Sequence, residues 1–264
     1  MVTSVVRDLP FRLALIVPLV VLTGYFLLLL GSQYAFFGAA AFLNQLALPE
    51  IQAAIVLSLG SATVSALLAV SIAVPSAYLL ARWEFPGKRL LDTFLDLPVV
   101  LTPIALGTLI LMAWNTPAGR LLEGVGLTLP FTVAGVVTAQ FTVVAAVALR
   151  MLKATFEQID PRYERVARTL GCTAAGSFRR VTLPLAARGI LAAFILTWAR
   201  AIGEFGATVM VAGTARGETA TLPSSIYLAM SVADLPHAVT LIILLLLVAL
   251  AVLFAVRFAL GRRS

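Results

Sequence analysis

The sequence is poor in charge and in reactive side chains. Only 12% of its 264 residues are charged, about half the share of an ordinary soluble domain. There is one cysteine, Cys172, and one histidine, His237. A lone cysteine cannot close an intramolecular disulfide, so the chain is not a stapled secreted scaffold. His237 has no second ligand near it in sequence with which to build a metal site. The pattern G-x-x-x-x-G-K-[ST] is missing. The only Gly-Lys pair, Gly87-Lys88, has Arg82 where the leading glycine should stand, which excludes ATP binding through a P-loop. H-E-x-x-H and G-x-S-x-G are absent as well, and with one His and one Cys a nucleophile–histidine dyad has almost no material. Low-complexity tracts and strong internal repeats are also lacking.

What is abundant is apolar surface. Hydrophobic residues make up 61% of the chain and the mean hydropathy is +1.04. A water-soluble enzyme, a disordered regulator or a nucleic-acid binder would need polar surface that this chain does not possess. The lipid bilayer is the solvent that fits. A span needs about 20 apolar residues, so the length accommodates about six spans, short connections and no sizeable soluble domain. Six apolar stretches stand out, at about 13–30, 53–80, 90–114, 131–149, 189–212 and 237–260. Pro75 predicts a kink in the second. Asp92, Asp96, Pro98 and Pro103 predict that the third begins bent or partly unwound. The expected fold is an all-α integral membrane protein, one transmembrane domain over 1–264. The first stretch follows Arg7 and Arg12 but is longer than a signal-peptide core and has no A-x-A site after it, so a retained span is expected.

The net charge of +7 sets the orientation. With six spans and both termini in the cytoplasm, Arg7, Arg12, Arg82, Lys88, Arg89, Arg150, Lys153, Arg162, Arg165, Arg168, Arg179, Arg180, Arg188, Arg257, Arg262 and Arg263 all lie inside. Only Arg120 and Arg216 lie outside, and Arg200 is within a span. The excess of positive charge on one side fixes the cytoplasmic face.

The longest polar interruption is 150–188. Asp160 can cap a helix that begins at Pro161. Tyr163, Val166, Ala167 and Leu170 follow at the spacing of one apolar helix face. Gly171 can end that helix in a left-handed conformation, and Thr173 can cap a second short helix through Phe178. A solvated basic loop would not need the apolar stripe; a docking site for a cytoplasmic partner explains the stripe and the caps together.

The segment 164–184 reads ERVARTLGCTAAGSFRRVTLP. It resembles the EAA motif of ABC importer permeases: E-A-A, three residues, G, nine residues, a branched aliphatic, any residue, L-P. Gly171, Val181, Leu183 and Pro184 match at that spacing. Arg165 takes the place of the motif's Glu, with Glu164 one position earlier, and only Ala167 keeps the alanine pair. The resemblance implies that this elbow is the coupling-helix region that fits a groove on an ATP-binding subunit, with Glu164, Arg165, Ala167, Leu170, Gly171, Phe178, Val181, Leu183 and Pro184 as its residues. A second run, 199–227, reads ARAIGEFGATVMVAGTARGETATLPSSIY and is similar to the molybdate permease branch, with tungstate and sulfate permeases as close relatives. LDTFLDLPVVLTPIALG in the third stretch and NTPAGR at 115–120 agree. The likeness covers about 51–260.

The resemblance implies the permease subunit of a type I ABC importer in the cytoplasmic membrane of a prokaryote, moving molybdate or tungstate, with sulfate as the alternative. It implies a second copy of the chain, two ATP-binding cassette subunits that hold ATP and Mg, and an extracytoplasmic oxyanion-binding protein. No cofactor and no ATPase activity are expected in this chain.

Two other classes stay open on the residues alone. A proton- or sodium-coupled transporter would need titratable groups in mid-membrane, and only Arg200 and Glu204 qualify. They lie at i and i+4, so they can pair with each other, or Arg200 can help an anion through. An intramembrane enzyme would have to use Asp92 and Asp96, which also suit ion pairs with Lys88 and Arg89. A gate is expected along the third and fifth stretches, at Pro98, Thr102, Pro103, Arg200, Gly203, Glu204, Phe205, Gly206 and Thr208. Gly203 and Gly206 suit either close helix packing or a helix break. A short helix at 222–230 is a candidate contact for the binding protein.

Overall fold

The computed structural model describes residues 9–33 and 38–261. The expected positions of Arg7, Arg262 and Arg263 lie outside the described residues. Every regular element among the described residues is helical. In chain order they are α1 (Leu9–Ser32), α2 (Ala39–Leu46), α3 (Pro49–Arg82), α4 (Lys88–Val100), α5 (Pro103–Trp114), α6 (Pro117–Gly124) and α7 (Val133–Glu157). After these come α8 (Arg162–Thr169), α9 (Ala174–Ser177), a π-helical turn (Phe178–Thr182), α10 (Leu183–Ile202), α11 (Gly206–Ala212), α12 (Leu222–Ser231) and α13 (Leu235–Gly261).

Among the described residues, five helices are long and apolar enough to cross a membrane, and six spans result if α4 and α5 count as one broken span bent by 112°. The bend exceeds the sequence expectation. It falls at Leu101-Thr102, where Pro103 opens the new helix and cannot continue the old one. By contrast α3 runs unbroken through Pro75.

The core is built on small residues. Ala62, Ala66, Ala69, Ala73 and Ala77 are buried along one face of α3, which lets α7 and α10 approach closely. Lipid supplies no hydrophobic drive between spans, so close packing and interhelical hydrogen bonds hold them. Ser65 Oγ donates to Gln140 Oε1 at 3.1 Å, joining α3 to α7. Trp198 Nε1 donates to Thr63 Oγ1 at 2.9 Å, joining α10 to α3. Such bonds contribute about 0.6 kcal/mol each on average inside membranes. No residue of the α1 segment Ala14–Ser32 is buried by the rest of the described chain.

Within the polar interruption 150–188, α7 continues through Arg150 and Lys153 to Glu157, and α10 begins at Leu183. One sequence expectation needs correcting. Asp92 and Asp96 do not pair with Lys88 and Arg89. Asp92 pairs with Lys153 and Asp96 with Arg150, tying α4 to the end of α7, while Lys88 turns to Glu84 at 2.6 Å. The pairs made by Asp92 and Asp96 join residues more than 50 positions apart, which no local pattern encodes.

Candidate functional site

Two sites take shape, one at the elbow and one at the helix breaks. The elbow starts where Asp160 Oδ1 accepts the amide of Arg162 at 2.8 Å, capping α8. Gly171 follows at φ +91°, the left-handed region that ends helices. Thr173 Oγ1 then accepts the Gly176 amide at 3.1 Å and starts α9. The caps are those the sequence predicts. The π-helical turn at Phe178–Thr182 was not predicted; it leads straight into Leu183 and Pro184.

The apolar stripe divides. Ala167 is buried, whereas Tyr163, Val166 and Leu170 are exposed, Leu170 at 81%. Arg165 and Arg168 are also exposed. This outward apolar and basic face is unused by the described chain. Glu164 points the other way. Its Oε2 accepts from Tyr78 Oη and its Oε1 from Arg82 Nε, both at 2.8 Å. Arg82 Nη2 also donates to the Ile159 carbonyl at 2.8 Å. Burial alone would push the Glu164 carboxyl up, but the bonds from Tyr78 and Arg82 and the Arg82 charge hold it below the ordinary 4.5. Phe178 sits 4.4 Å, centroid to centroid, from the Tyr78 ring. A cavity of about 190 Å³ lies beside these groups, lined by Arg82, Trp83, Arg165 and Arg168 among others. The sequence did not single out Tyr78 or Arg82; an arginine at the last position of an apolar run was the one available signal.

The second site joins two breaks in the spans. One is the α4–α5 bend. The other is Gly203-Glu204-Phe205, between α10 and α11. They lie side by side: a Cβ placed on Gly206 would be 3.1 Å from Pro103 Cβ, and one on Gly107 would be 2.9 Å from the Ala207 backbone. Thr102 Oγ1 accepts the Ala105 amide at 3.3 Å and caps α5. Glu204 lies in the break and caps α11, its Oε1 accepting the Ala207 amide at 3.0 Å. Its Oε2 meets Arg200 Nη1 at 2.6 Å. Glu204 is 1% exposed and Arg200 41%.

Thus Pro103 and Gly206 come together, and Arg200 pairs with Glu204. Thr208 is buried, its hydroxyl without a partner among the described residues. Phe205 stacks 5.1 Å from Tyr227 of α12. Pro98 lies elsewhere, in an apolar cleft between α3, α4 and α7. Arg200 and the start of α11 both meet the same carboxylate.

The family model described as "binding-protein-dependent transport system inner membrane component" matches residues 73–264. A molybdenum transport system permease protein of Escherichia coli is 37% identical over 182 residues, covering 68% of this chain and 79% of the relative. That of Mycobacterium tuberculosis is 39% identical over 210 residues, 79% of each. A sulfate transport system permease protein of Salmonella typhimurium is 30% identical over 210 residues, 79% of this chain and 76% of the relative. A crystal structure of a bacterial alginate ABC transporter, in complex with an alginate-bound periplasmic protein, superposes with a TM-score of 0.80. It is 20% identical and covers 99% of this chain and 96% of its own. That likeness bears on the fold.

Proposed function

Because the chain belongs to the binding-protein-dependent transport system inner membrane components, we propose that it is the membrane permease of an ATP-driven importer for molybdate. It is a multi-pass inner-membrane protein. Its relatives are permease subunits rather than enzymes. The observation that carries the substrate is the identity to molybdenum permeases, 37% and 39%, against 30% and 35% for two sulfate permeases.

The assembly we propose has two copies of this chain, two ATP-binding subunits and an extracytoplasmic oxyanion-binding protein. ATP and Mg belong to the ATP-binding subunits, since this chain has no P-loop. The whole chain acts as one transmembrane unit, with a core at about 51–260 and a coupling segment at about 150–188. Both termini and the elbow face the cytoplasm, a reading that the distribution of arginine and lysine supports. The exposed Tyr163, Val166 and Leu170 with Arg165 and Arg168 form the face that meets the ATP-binding subunit. The paired breaks at Thr102-Pro103 and Gly203–Gly206 form the gate, with Arg200 and Glu204 bordering it.

A high-affinity dianion site gathers several charge-assisted donors, often arginines whose planar fork binds in two places. Here Arg200, the arginine beside the break, is held by Glu204. Selectivity therefore resides in the binding protein, and the permease releases what it receives. Uptake of labelled molybdate in cells lacking their own molybdate permease, with the partner subunits co-expressed, tests the reading. Excess tungstate should compete and excess sulfate should not. Competition by sulfate alone would move the assignment to the sulfate permeases.

A further inference from the structure

The elbow is fastened to one helix, and that helix reaches the opposite end of the molecule. α3 has 34 residues, about 50 Å at 1.5 Å per residue. At its first turns Ile51 and Ala54 are buried against Leu222, Leu241 and Leu244. Ser58 Oγ accepts the Leu222 amide at 2.7 Å, capping α12 from outside. At its last turns Tyr78 and Arg82 take both oxygens of Glu164.

The Tyr78 ring also packs on Phe178 at 4.4 Å and on Phe156 at 5.6 Å. Ser177 Oγ donates to the Glu164 carbonyl at 3.3 Å, bringing α9 into the same cluster. Arg82 is 9% exposed and Glu164 13%. Each Glu164 oxygen already accepts one bond and the side chain has little open surface, so Glu164 is committed to α3. The outward residues of α8 are Tyr163, Val166 and Leu170.

We propose that Glu164, Arg82 and Tyr78 form a clasp that fixes the coupling elbow to α3, so that the elbow and α12 are joined through one continuous strut. Glu164 is a positioning residue rather than a contact to the ATP-binding subunit. The inference rests on the proposed importer function for what the strut transmits, while the clasp itself stands on this chain's geometry. A push on Val166 and Leu170 tilts α8. A loosely tethered elbow would absorb that push in the loop after α7; a clasped one passes it to α3. Charge-assisted bonds with little solvent access are the connection that would transmit it, because they are stronger than neutral ones and poorly screened.

Two readouts on the whole permease test this. The first is hydrogen exchange of the amides at 162–169 in detergent, which needs no substrate. Glu164→Ala should raise exchange about ten-fold or more, the scale of a lost charge-assisted hydrogen bond. The second is ATP hydrolysed per molybdate moved in the reconstituted complex. That ratio should rise by a similar factor while the ATP-binding subunit still co-purifies at the wild-type level. The exchanged pair, Arg82→Glu with Glu164→Arg, should bring both readouts back towards wild type. Tyr78→Phe keeps the ring packing and removes one bond, so it serves if Glu164→Ala fails to insert; it should raise exchange by a few-fold. Unchanged exchange in Glu164→Ala, or in Tyr78→Phe where the alanine variant fails to insert, overturns the clasp. Loss of co-purification with unchanged exchange overturns it too, by making Glu164 a contact residue. A wild-type complex that moves no molybdate contradicts the proposed function, and exchange still decides the clasp.

Discussion

Gly171 shows most directly how one residue aims the elbow. Its φ of +91° lies where a side chain with a Cβ is disfavoured by roughly 1–2 kcal/mol. No atom lies within 4 Å of where a Cβ would go, so the constraint is in the backbone and not in space. Gly171→Val should uncouple ATP hydrolysis from transport by misdirecting Cys172 and everything after it. Gly171→Asn should retain most activity, because Asn visits the left-handed region readily. Transport per ATP in proteoliposomes distinguishes the two; equal loss in both would mean that the space beside Gly171 is occupied by the partner. Glu204 is the other decisive residue. As an isolated carboxylate within a span it would be costly, but it closes the start of α11 through the Ala207 amide and binds Arg200. One side chain thereby satisfies a helix end and a charge.

At the scale of elements, the elbow should respond to acid in a defined way. Glu164 is held below its ordinary 4.5 in the folded chain. A group with a lowered folded value contributes its stability in full above the unfolded value and loses it as pH falls through the folded one. Hydrogen-exchange protection of 162–169 should therefore be level from about pH 8 to pH 5 and fall only below about pH 4. In Glu164→Gln that acid step should vanish. A wild-type step near pH 6 would point to another group.

The caps of this elbow were legible in the sequence because capping is local: Asp160, Gly171 and Thr173 act within three residues of themselves. The spans were legible because apolar length is a property of composition. The partners of Asp92 and Asp96 were not legible, since Lys153 and Arg150 lie more than 50 residues away. Pro103 announced a bend, while the glycines at 203 and 206 left a break or close packing open. That the two breaks adjoin at Gly206 and Pro103 depends on how α5 and α11 pack, which no local pattern encodes. The clasp of Tyr78 and Arg82 to Glu164, across more than 80 residues, was hidden for that reason.

The whole molecule is an array of apolar helices around an alanine-lined core, with an elbow at one end and α12 at the other. Its orientation in the membrane is open to direct test. In a Cys172→Ser background, a membrane-impermeant maleimide added to intact cells should label Gly124→Cys, which is exposed at the end of α6, and should leave Thr169→Cys on the elbow unlabelled. The reverse pattern would invert the proposed topology. The central claim is that this chain conducts an oxyanion only when an ATP-binding subunit drives its elbow. Molybdate uptake into proteoliposomes of purified permease, ATP-binding subunit and binding protein tests it most directly. Uptake should require ATP on the elbow side and the binding protein on the other, and should stop when either is withheld. Uptake by the permease alone under a proton or sodium gradient would contradict the account and make the chain an ion-coupled transporter.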